Sequence, residues 1–319
     1  MEIVRCLEDF PDLNGCVATI GSFDGIHRGH QALIERCISE AQERGLPSVV
    51  ITFHPHPQEL LRDSDLRPIR LLTGIEERAH LIERYAPVDF LLVLDFNRGF
   101  SSMSADEFAQ RVLEDTLKVE HVVVGYDHQF GHNRAGDAEW LNQRGISKGY
   151  NVSVVGPINN ENLPVSSTLI RDHIQSDRLD LANAMLGHGY TLFGTVVHGD
   201  ERGQSLNFPT ANIDPHAENK LLPNKGVYLA RVKTDEFSSF GMCNIGVRPT
   251  FKNGNEITIE VNLFNIPEGK EDLYEQDVML EFLQKLRDEK KFSSVDDLII
   301  QLENDKKTCI AIIENYRDV

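Results

Sequence analysis

Short apolar runs alternate with amphipathic stretches of helical period through the first half of the chain. CVATIGSF (16–23), PSVVITF (47–53), VDFLLVLDF (88–96), HVVVGYD (121–127) and NVSVVGPI (151–158) predict strands. Between them HQALIERCISEAQERG (30–45), EERAHLIERYA (76–86), SADEFAQRVLEDTL (104–117) and AEWLNQRGISKGY (138–150) predict helices. The first of these stops at Gly45, and Ser104 is placed to cap the third. Strands rich in Val, Leu and Ile, joined by helical crossovers, indicate a parallel sheet covered on both faces. Ligands gather at the carboxyl ends of such strands. GSFDGIHRGH (21–30) follows the first strand, and GYDHQFGHNRAGD (125–137) lies at the end of the fourth.

The pattern changes after LIRDHIQSDRLDLANAML (169–186), which reads as one helical stretch running out at Gly187. Beyond it come short strands: YTLFGTVVHG (190–199), GVYLARVKT (226–234), FGMCNIGV (240–247), ITIEVNLF (257–264) and DVMLEFLQKL (277–286). Turn-rich segments such as NGN and PEGKED separate them, which predicts a compact antiparallel barrel or sandwich. An amphipathic helix, VDDLIIQLENDKKTCIAIIENY (295–316), closes the chain. The expected architecture is α/β, with a Rossmann-like parallel-sheet domain at 1–185. A small antiparallel β-barrel domain with a terminal helix follows at 186–319.

Composition narrows the function without naming it. The 319 residues carry a net charge of −18, with no run of Lys and Arg able to neutralise a phosphate backbone, so nucleic acid is not an expected partner. A small anion can still bind where local amides and a few arginines outweigh the overall field. The start, MEIVRCLEDFPD, lacks a signal-peptide pattern, and no stretch approaches the ~20 apolar residues of a membrane span. Five scattered cysteines without a CxxC pair fit a reducing compartment. These features predict a cytoplasmic protein with no membrane partner. A homo-oligomer is compatible with the sequence but not specified by it.

In GSFDGIHRGH, glycines 21, 25 and 29 sit at a strand-to-helix turn, where backbone can approach a phosphate closely. His27 and His30 add imidazole donors near the helix start. The same two histidines, with His54 and His56, also allow a zinc site on spacing alone. In SSTLIR (166–171), Ser166, Ser167 and Thr168 precede a helix, and Arg171 stands one turn along with its fork of donors.

Taken together with TFHPHP (52–57) and GYDHQFGHNRAGD, these motifs place the chain beside a known family. The HxGH arrangement resembles the nucleotidyltransferase superfamily. The full set, in order and spacing, resembles the adenylyltransferase half of the bifunctional bacterial riboflavin kinases/FAD synthetases. That resemblance implies ATP and phosphate contacts from Gly21, Phe23, Asp24, Gly25, His27, His30, Ser166, Ser167, Thr168 and Arg171. It implies flavin and nucleotide contacts from His54, Pro55, Asp127, Phe130 and Arg134. Two positions depart from the family pattern. His128 replaces the first phenylalanine of GxDFxFG, and His54 takes a position that is often acidic.

The second half carries its own signature, GTVVHGDERGQSLNFPTANI (194–213). With GVYLARV, CNIGVRPTF and EITIEVNLF it resembles the riboflavin kinase domain, a small barrel that binds ATP with Mg²⁺ and riboflavin. The resemblance places ATP at Gly194, Gly199, Gly203, Thr210 and Asn212, and Mg²⁺ at Thr210 and Asn212. Their hydroxyl and amide oxygens suit a hard cation. Glu260 aligns with the carboxylate that accepts the proton of the ribityl 5′-hydroxyl. Gln204, Asn207, Asn262 and Glu275 depart from the usual residues, the last standing where glycine is common. The expected activity is phosphorylation of riboflavin to FMN, then adenylylation of FMN by ATP to FAD. The alternative is a flavin- or nucleotide-binding protein with one active half, the other being regulatory or structural.

Overall fold

The computed structural model describes residues 1–61, 68–160, 163–198, 210–250 and 254–315. The chain divides into two compact units, Met1–Ser167 and Thr168–Val319.

The first unit is built on β1 (Glu2–Val4), β2 (Cys16–Ile20), β3 (Ser48–His54), β4 (Phe90–Asp95), β5 (Val119–Gly125) and β8 (Asn151–Val155), all parallel. Their order in the sheet is β1-β4-β3-β2-β5-β8. Successive residues of each central strand face opposite layers. Val17, Val50, Leu91 and Val123 pack into one apolar cluster, with Ile34, Cys37 and Ile82 from helices α1 (Arg28–Arg44) and α3 (Ile75–Tyr85). Ala18, Val49, Leu92 and Val122 pack into the other, with Phe108, Val112 and Leu113. A two-residue period that is apolar on both sides is what a doubly covered sheet requires. From β2 the chain builds outward to β3 and β4, then returns to lay β5 on the other flank of β2. The switch point between β2 and β5 leaves a crevice at their carboxyl ends.

Several local features escaped the pattern. The edge strand β1 is too short to show periodicity. The helix expected at 104–117 begins as α5 (Ala105–Phe108) under a capping box of Ser104 and Glu107, then widens into a π turn over Ala109–Thr116. Two short hairpins lie outside the main sheet: β6 (Gln129–Phe130) with β7 (Gly136–Asp137), and β9 (Asn159–Asn160) with β10 (Leu163–Pro164). Short helices α2 (Pro57–Leu61) and α4 (Arg98–Ser101) follow β3 and β4, and α6 (Ala138–Lys148) follows β7.

The single helical stretch expected at 169–186 is two helices, α7 (Ser167–Gln175) and α8 (Leu179–Leu186). Asp177 adopts φ 59°, and the Arg178 amide turns back to the His173 carbonyl at 2.8 Å, which ends the first helix.

The second unit is a closed antiparallel barrel. Its strands are β11 (Tyr190–Val197), β12 (Ala211–Pro215), β13 (Gly226–Lys233), β14 (Ser238–Thr250), β15 (Gly254–Leu263) and β16 (Asp277–Arg287), in the order β11-β12-β15-β14-β13-β16. Strand β12 was not expected; its sequence, ANIDP, is polar enough to read as a turn. Helix α9 (Val295–Asn315) packs Cys309, Leu302 and Ile312 against Val227, Leu229 and Met242 of the barrel. It is tied there by Arg287, whose Nε and Nη2 donate to Asp305 at 2.9 and 2.7 Å.

All five cysteines are free. Cys16 and Cys37 lie in the core of the first unit, and Cys243 and Cys309 in that of the second; only Cys6 is exposed. Burial pushes the Cys37 and Cys309 thiols up to about 12 and raises those of Cys16 and Cys243 as well.

Glu275 occupies a left-handed conformation at φ 63°, with its amide donating to Val196 O at 2.9 Å. That position favours glycine, and the side chain is exposed. We expect Glu275→Gly to stabilise the barrel by about 0.5–1 kcal/mol, the relief of the left-handed conformation exceeding the entropy that glycine adds to the unfolded chain. Urea denaturation followed on the second unit would check this; an unchanged or lower midpoint would refute it.

Candidate active sites

A cleft of about 1180 Å³ opens over the carboxyl ends of β2, β3, β4 and β5. One wall is the GSFDGIHRGH loop. Gly21 leaves the sheet with its amide donating to Ile51 O at 3.1 Å. The chain then turns through Phe23 (φ 48°), Gly25 (φ 91°) and Ile26 (φ 42°). Left-handed conformations at two non-glycine residues cost of order 1–3 kcal/mol each, and are held here because both side chains are fully buried. Gly25 takes its φ without strain and gives its amide to Thr73 Oγ1 at 2.9 Å.

Asp24 points away from the cleft. Its carboxylate accepts from Leu72 N at 3.1 Å, Thr73 N at 2.8 Å and Thr73 Oγ1 at 3.1 Å. It fastens the loop to the segment before α3 and is not among the cleft-lining residues. Ser167 Oγ donates to the Asp24 carbonyl at 2.8 Å, so this residue of the SST motif touches the same loop.

His27 caps helix α1. Its Nδ1 accepts from the His30 amide at 3.3 Å, so in this arrangement Nδ1 carries no proton and the tautomer is Nε2–H. The His30 ring stacks on His27 with centroids 3.5 Å apart and planes at 18°, and Phe23 meets it edge-on at 5.3 Å. Burial holds His30 well below the usual histidine range, aided by His27 and the cationic Arg78. His30 therefore offers the cleft a neutral imidazole next to the amino end of a seventeen-residue helix. That helix end carries positive potential and free amides for an anion. Its Nδ1 is buried and has no hydrogen-bond partner among the described residues.

The opposite side of the cleft is aromatic. Phe53, Phe96, Phe100, Phe108 and Phe130 line it and form a continuous chain of ring contacts 5.5–5.9 Å apart, with 6.0 Å at Phe100–Phe108. Such a wall fits the face of a large planar heterocycle. His128 lines the same side, stacked on Phe130 at 5.7 Å and 18°, and burial pulls it down to about 4, so it too is neutral. Asp127 and Arg134 are exposed at the rim.

At the end of β3, the His54–Pro55 peptide is cis and His54 is exposed. His56, rather than His54, lines the cleft; it is buried, and its Nδ1 accepts from the Gln58 amide at 3.1 Å. Sequence reasoning had named His56 only as a metal ligand. The zinc arrangement of His27, His30, His54 and His56 is not formed: among the described residues no three His, Cys, Asp or Glu side chains group as metal ligands. Thr168 and Arg171 lie on α7, Thr168 exposed and Arg171 half-buried.

In the barrel, β12 pairs β15 so that Asn212 lies directly opposite Glu260, and β14 places Asn244 opposite Glu260 on its other flank. Directly opposed residues share a sheet face with Cα atoms about 4.5–5.5 Å apart. A half-buried carboxylate is thus bracketed by two amides, with Thr210 two residues before Asn212. Hydroxyl, amide and carboxylate oxygens form a donor set that suits a hard cation carrying its own waters. Gly194 sits within β11, where an added Cβ would lie 2.5 Å from Asp214 O; the close strand approach requires glycine there. Gly199, Gly203, Gln204 and Asn207 lie outside the described residues.

Two separate constellations are thus present, one in each unit. Residues 9–169 match the FAD synthetase family and residues 186–313 match the riboflavin kinase family. A bifunctional riboflavin kinase/FMN adenylyltransferase of Pseudomonas fluorescens is 39% identical over 299 residues, covering 93% of both chains. The chain belongs to the bifunctional riboflavin kinase/FMN adenylyltransferase family.

Other members of that family are similarly close. The Escherichia coli K12 protein is 36% identical over 97% of this chain and 96% of its own. The Bacillus subtilis protein is 34% identical over 94% and 93%. A solved structure of a Streptococcus pneumoniae chain, described as a macrolide-efflux protein, superposes with a TM-score of 0.85 at 31% identity over 99% of both chains. The fold is therefore that of a known two-domain protein. The efflux description applies to that protein. Among the described residues of the present family member, no helix is long and apolar enough to cross a membrane.

Proposed function

We propose that this chain carries both activities of its family, with residues 1–185 performing adenylyl transfer and residues 186–319 performing phosphorylation. The observation that carries the reading is the pairing of two unlike sites in one chain. One is an anion-binding helix end facing an aromatic wall, and the other a carboxylate bracketed by amides in a barrel.

In the barrel, Glu260 accepts the proton of the riboflavin 5′-hydroxyl as that oxygen attacks the γ-phosphorus of ATP and ADP departs. Thr210 and Asn212 are the residues that would hold Mg²⁺, which when bound neutralises phosphate charge. The opposition of Asn212 and Glu260 supports that assignment by bringing donor and base to one face.

In the cleft, the FMN phosphate attacks the α-phosphorus of ATP and pyrophosphate leaves, with no covalent enzyme intermediate. Positioning and charge stabilisation supply the acceleration. His30 and the first amides of α1 bind phosphate oxygens. His27 holds the helix start, and the phenylalanine wall orients the flavin. Arg171 with Ser166, Ser167 and Thr168 complete the phosphate contacts on this reading.

The five free cysteines support a reducing, cytoplasmic setting for both steps. Purified protein given riboflavin, ATP and Mg²⁺ is expected to produce FMN and then FAD on chromatography. Absence of both products would reject the assignment.

A further inference from the structure

Arg78, on α3, belongs to no motif recognised in the sequence, yet it is the largest fully buried side chain among the described residues. Its Nη1 donates to Thr52 Oγ1 at 2.9 Å and to Phe53 O at 3.1 Å. Thr52 Oγ1 passes the contact on, donating to Ser22 O at 3.3 Å. Ser22 and Phe53 both line the cleft, so Arg78 stands one layer behind the wall formed by the phosphate loop and the end of β3.

The guanidinium makes no direct ion pair among the described residues, although three carboxylates lie near enough to favour its charge. Its hydrogen-bond acceptors among the described residues are a hydroxyl and a carbonyl, both neutral, and its Nε is buried without a partner. The acidic groups that feel its charge, Asp24, Glu59 and Glu77, have oxygens engaged by backbone amides: Asp24 by Leu72 and Thr73, Glu59 by His56, and Glu77 by Gly74. A buried cation whose hydrogen bonds go only to neutral groups is costly, and an apolar residue of similar size often packs as favourably. The cost is recovered when negative charge arrives nearby, and the face in front of Arg78 is the one that receives it.

We infer that Arg78 is a positioning residue of the adenylyltransferase site, whose buried charge acts through Thr52 and Ser22 to favour the phosphates of ATP. The inference rests on the reading of the cleft as the site of adenylyl transfer. A simple rivet between α3 and β3 would hold the wall in place for any ligand alike. A charge acts in proportion to the charge of the ligand, and this difference is measurable.

The test uses the full chain making FAD from supplied FMN, so that the barrel takes no part. The KM for ATP and the inhibition constants of ADP, AMP and adenosine are measured for the wild type and for Arg78→Met. The expected result is a KM for ATP raised roughly ten- to a hundredfold, with progressively smaller losses for ADP and AMP and less than about twofold for adenosine. Equal losses for all four ligands, or none, would overturn the inference. Should Arg78→Met not fold, Arg78→Lys carries the test. It keeps the charge and is expected to keep the ratio of adenosine inhibition constant to ATP KM within about threefold of wild type; collapse of that ratio would overturn the inference. A wild-type chain that makes no FAD from FMN would reject the site assignment itself, whereas an active wild type with an unchanged ligand series in Arg78→Met rejects only the role of Arg78.

Discussion

Replacing Glu260 with alanine is expected to lower FMN formation from riboflavin by about 10²–10⁴-fold while FAD formation from added FMN stays at the wild-type rate. The magnitude is that of removing a general base, the role proposed for Glu260, from a position fixed by the sheet. Glu260 sits on β15 between Asn212 and Asn244 of the flanking strands, so the β-ladder sets where its carboxylate projects. Glu260→Gln keeps the shape and hydrogen-bonding capacity but cannot take a proton, and is expected to lose nearly as much. A barrel that merely needed a polar group at this position would tolerate glutamine. The selectivity of the loss matters equally, because the carboxylate lies in the second compact unit and the cleft in the first. The check is a discontinuous assay with separate riboflavin and FMN feeds. Parallel loss of both activities would show that the two sites are not independent.

The second large effect is expected at His30. His30→Ala should reduce adenylyl transfer about 10²–10³-fold, the usual cost of removing one oriented donor from a charge-stabilising site. Riboflavin phosphorylation should be unaffected. The imidazole is stacked on His27, touched edge-on by Phe23 and held neutral, so in the role proposed for it His30 would meet the transition state as a fixed dipole needing little reorganisation. His27 has a different task, since its Nδ1 caps α1. Its replacement by alanine removes a cap, costing about 1 kcal/mol of stability, in addition to any contact with phosphate. Thermal melting beside FAD kinetics separates the two: His30→Ala should melt close to wild type while being nearly inactive in FAD formation. Wild-type FAD formation by His30→Ala would remove this residue from the site.

The sequence made the architecture readable because both halves obey simple periods. Paired apolar residues such as Val17–Ala18 and Leu91–Leu92 have one place to go when helices cover both faces of a sheet, and the turn-separated short strands of the second half close on themselves. Elements with weak or mixed periods were missed. ANIDP reads as a turn because its pairing comes from long-range partners, and the α7–α8 break depends on one residue, Asp177, whose left-handed backbone no pattern announces.

The motifs that border the candidate site were legible, and the division of labour within them less so. Asp24 belongs to GSFDGIHRGH, but its carboxylate is turned inward to Thr73. His56, two residues past His54, takes the cleft-lining place. Arg78 carried no motif of its own. A charged residue in the middle of an amphipathic helix looks solvated until the fold reveals that it is buried; Ile82, four residues on and on the same face, is the hint that this face turns inward.

The distribution of cysteines gives the molecule a built-in report on how it opens. Two thiols are sealed in each unit and deprived of their reactive thiolate form by burial, while Cys6 stands outside both cores. In a pulse of alkylating reagent the native chain should therefore take up a single label. Each further label marks an opening event, and the peptide that carries it names the unit. Should the barrel loosen before the sheet, Cys243 and Cys309 would become modified while Cys16 and Cys37 remain protected, so mass spectrometry alone would order the unfolding of the two catalytic halves.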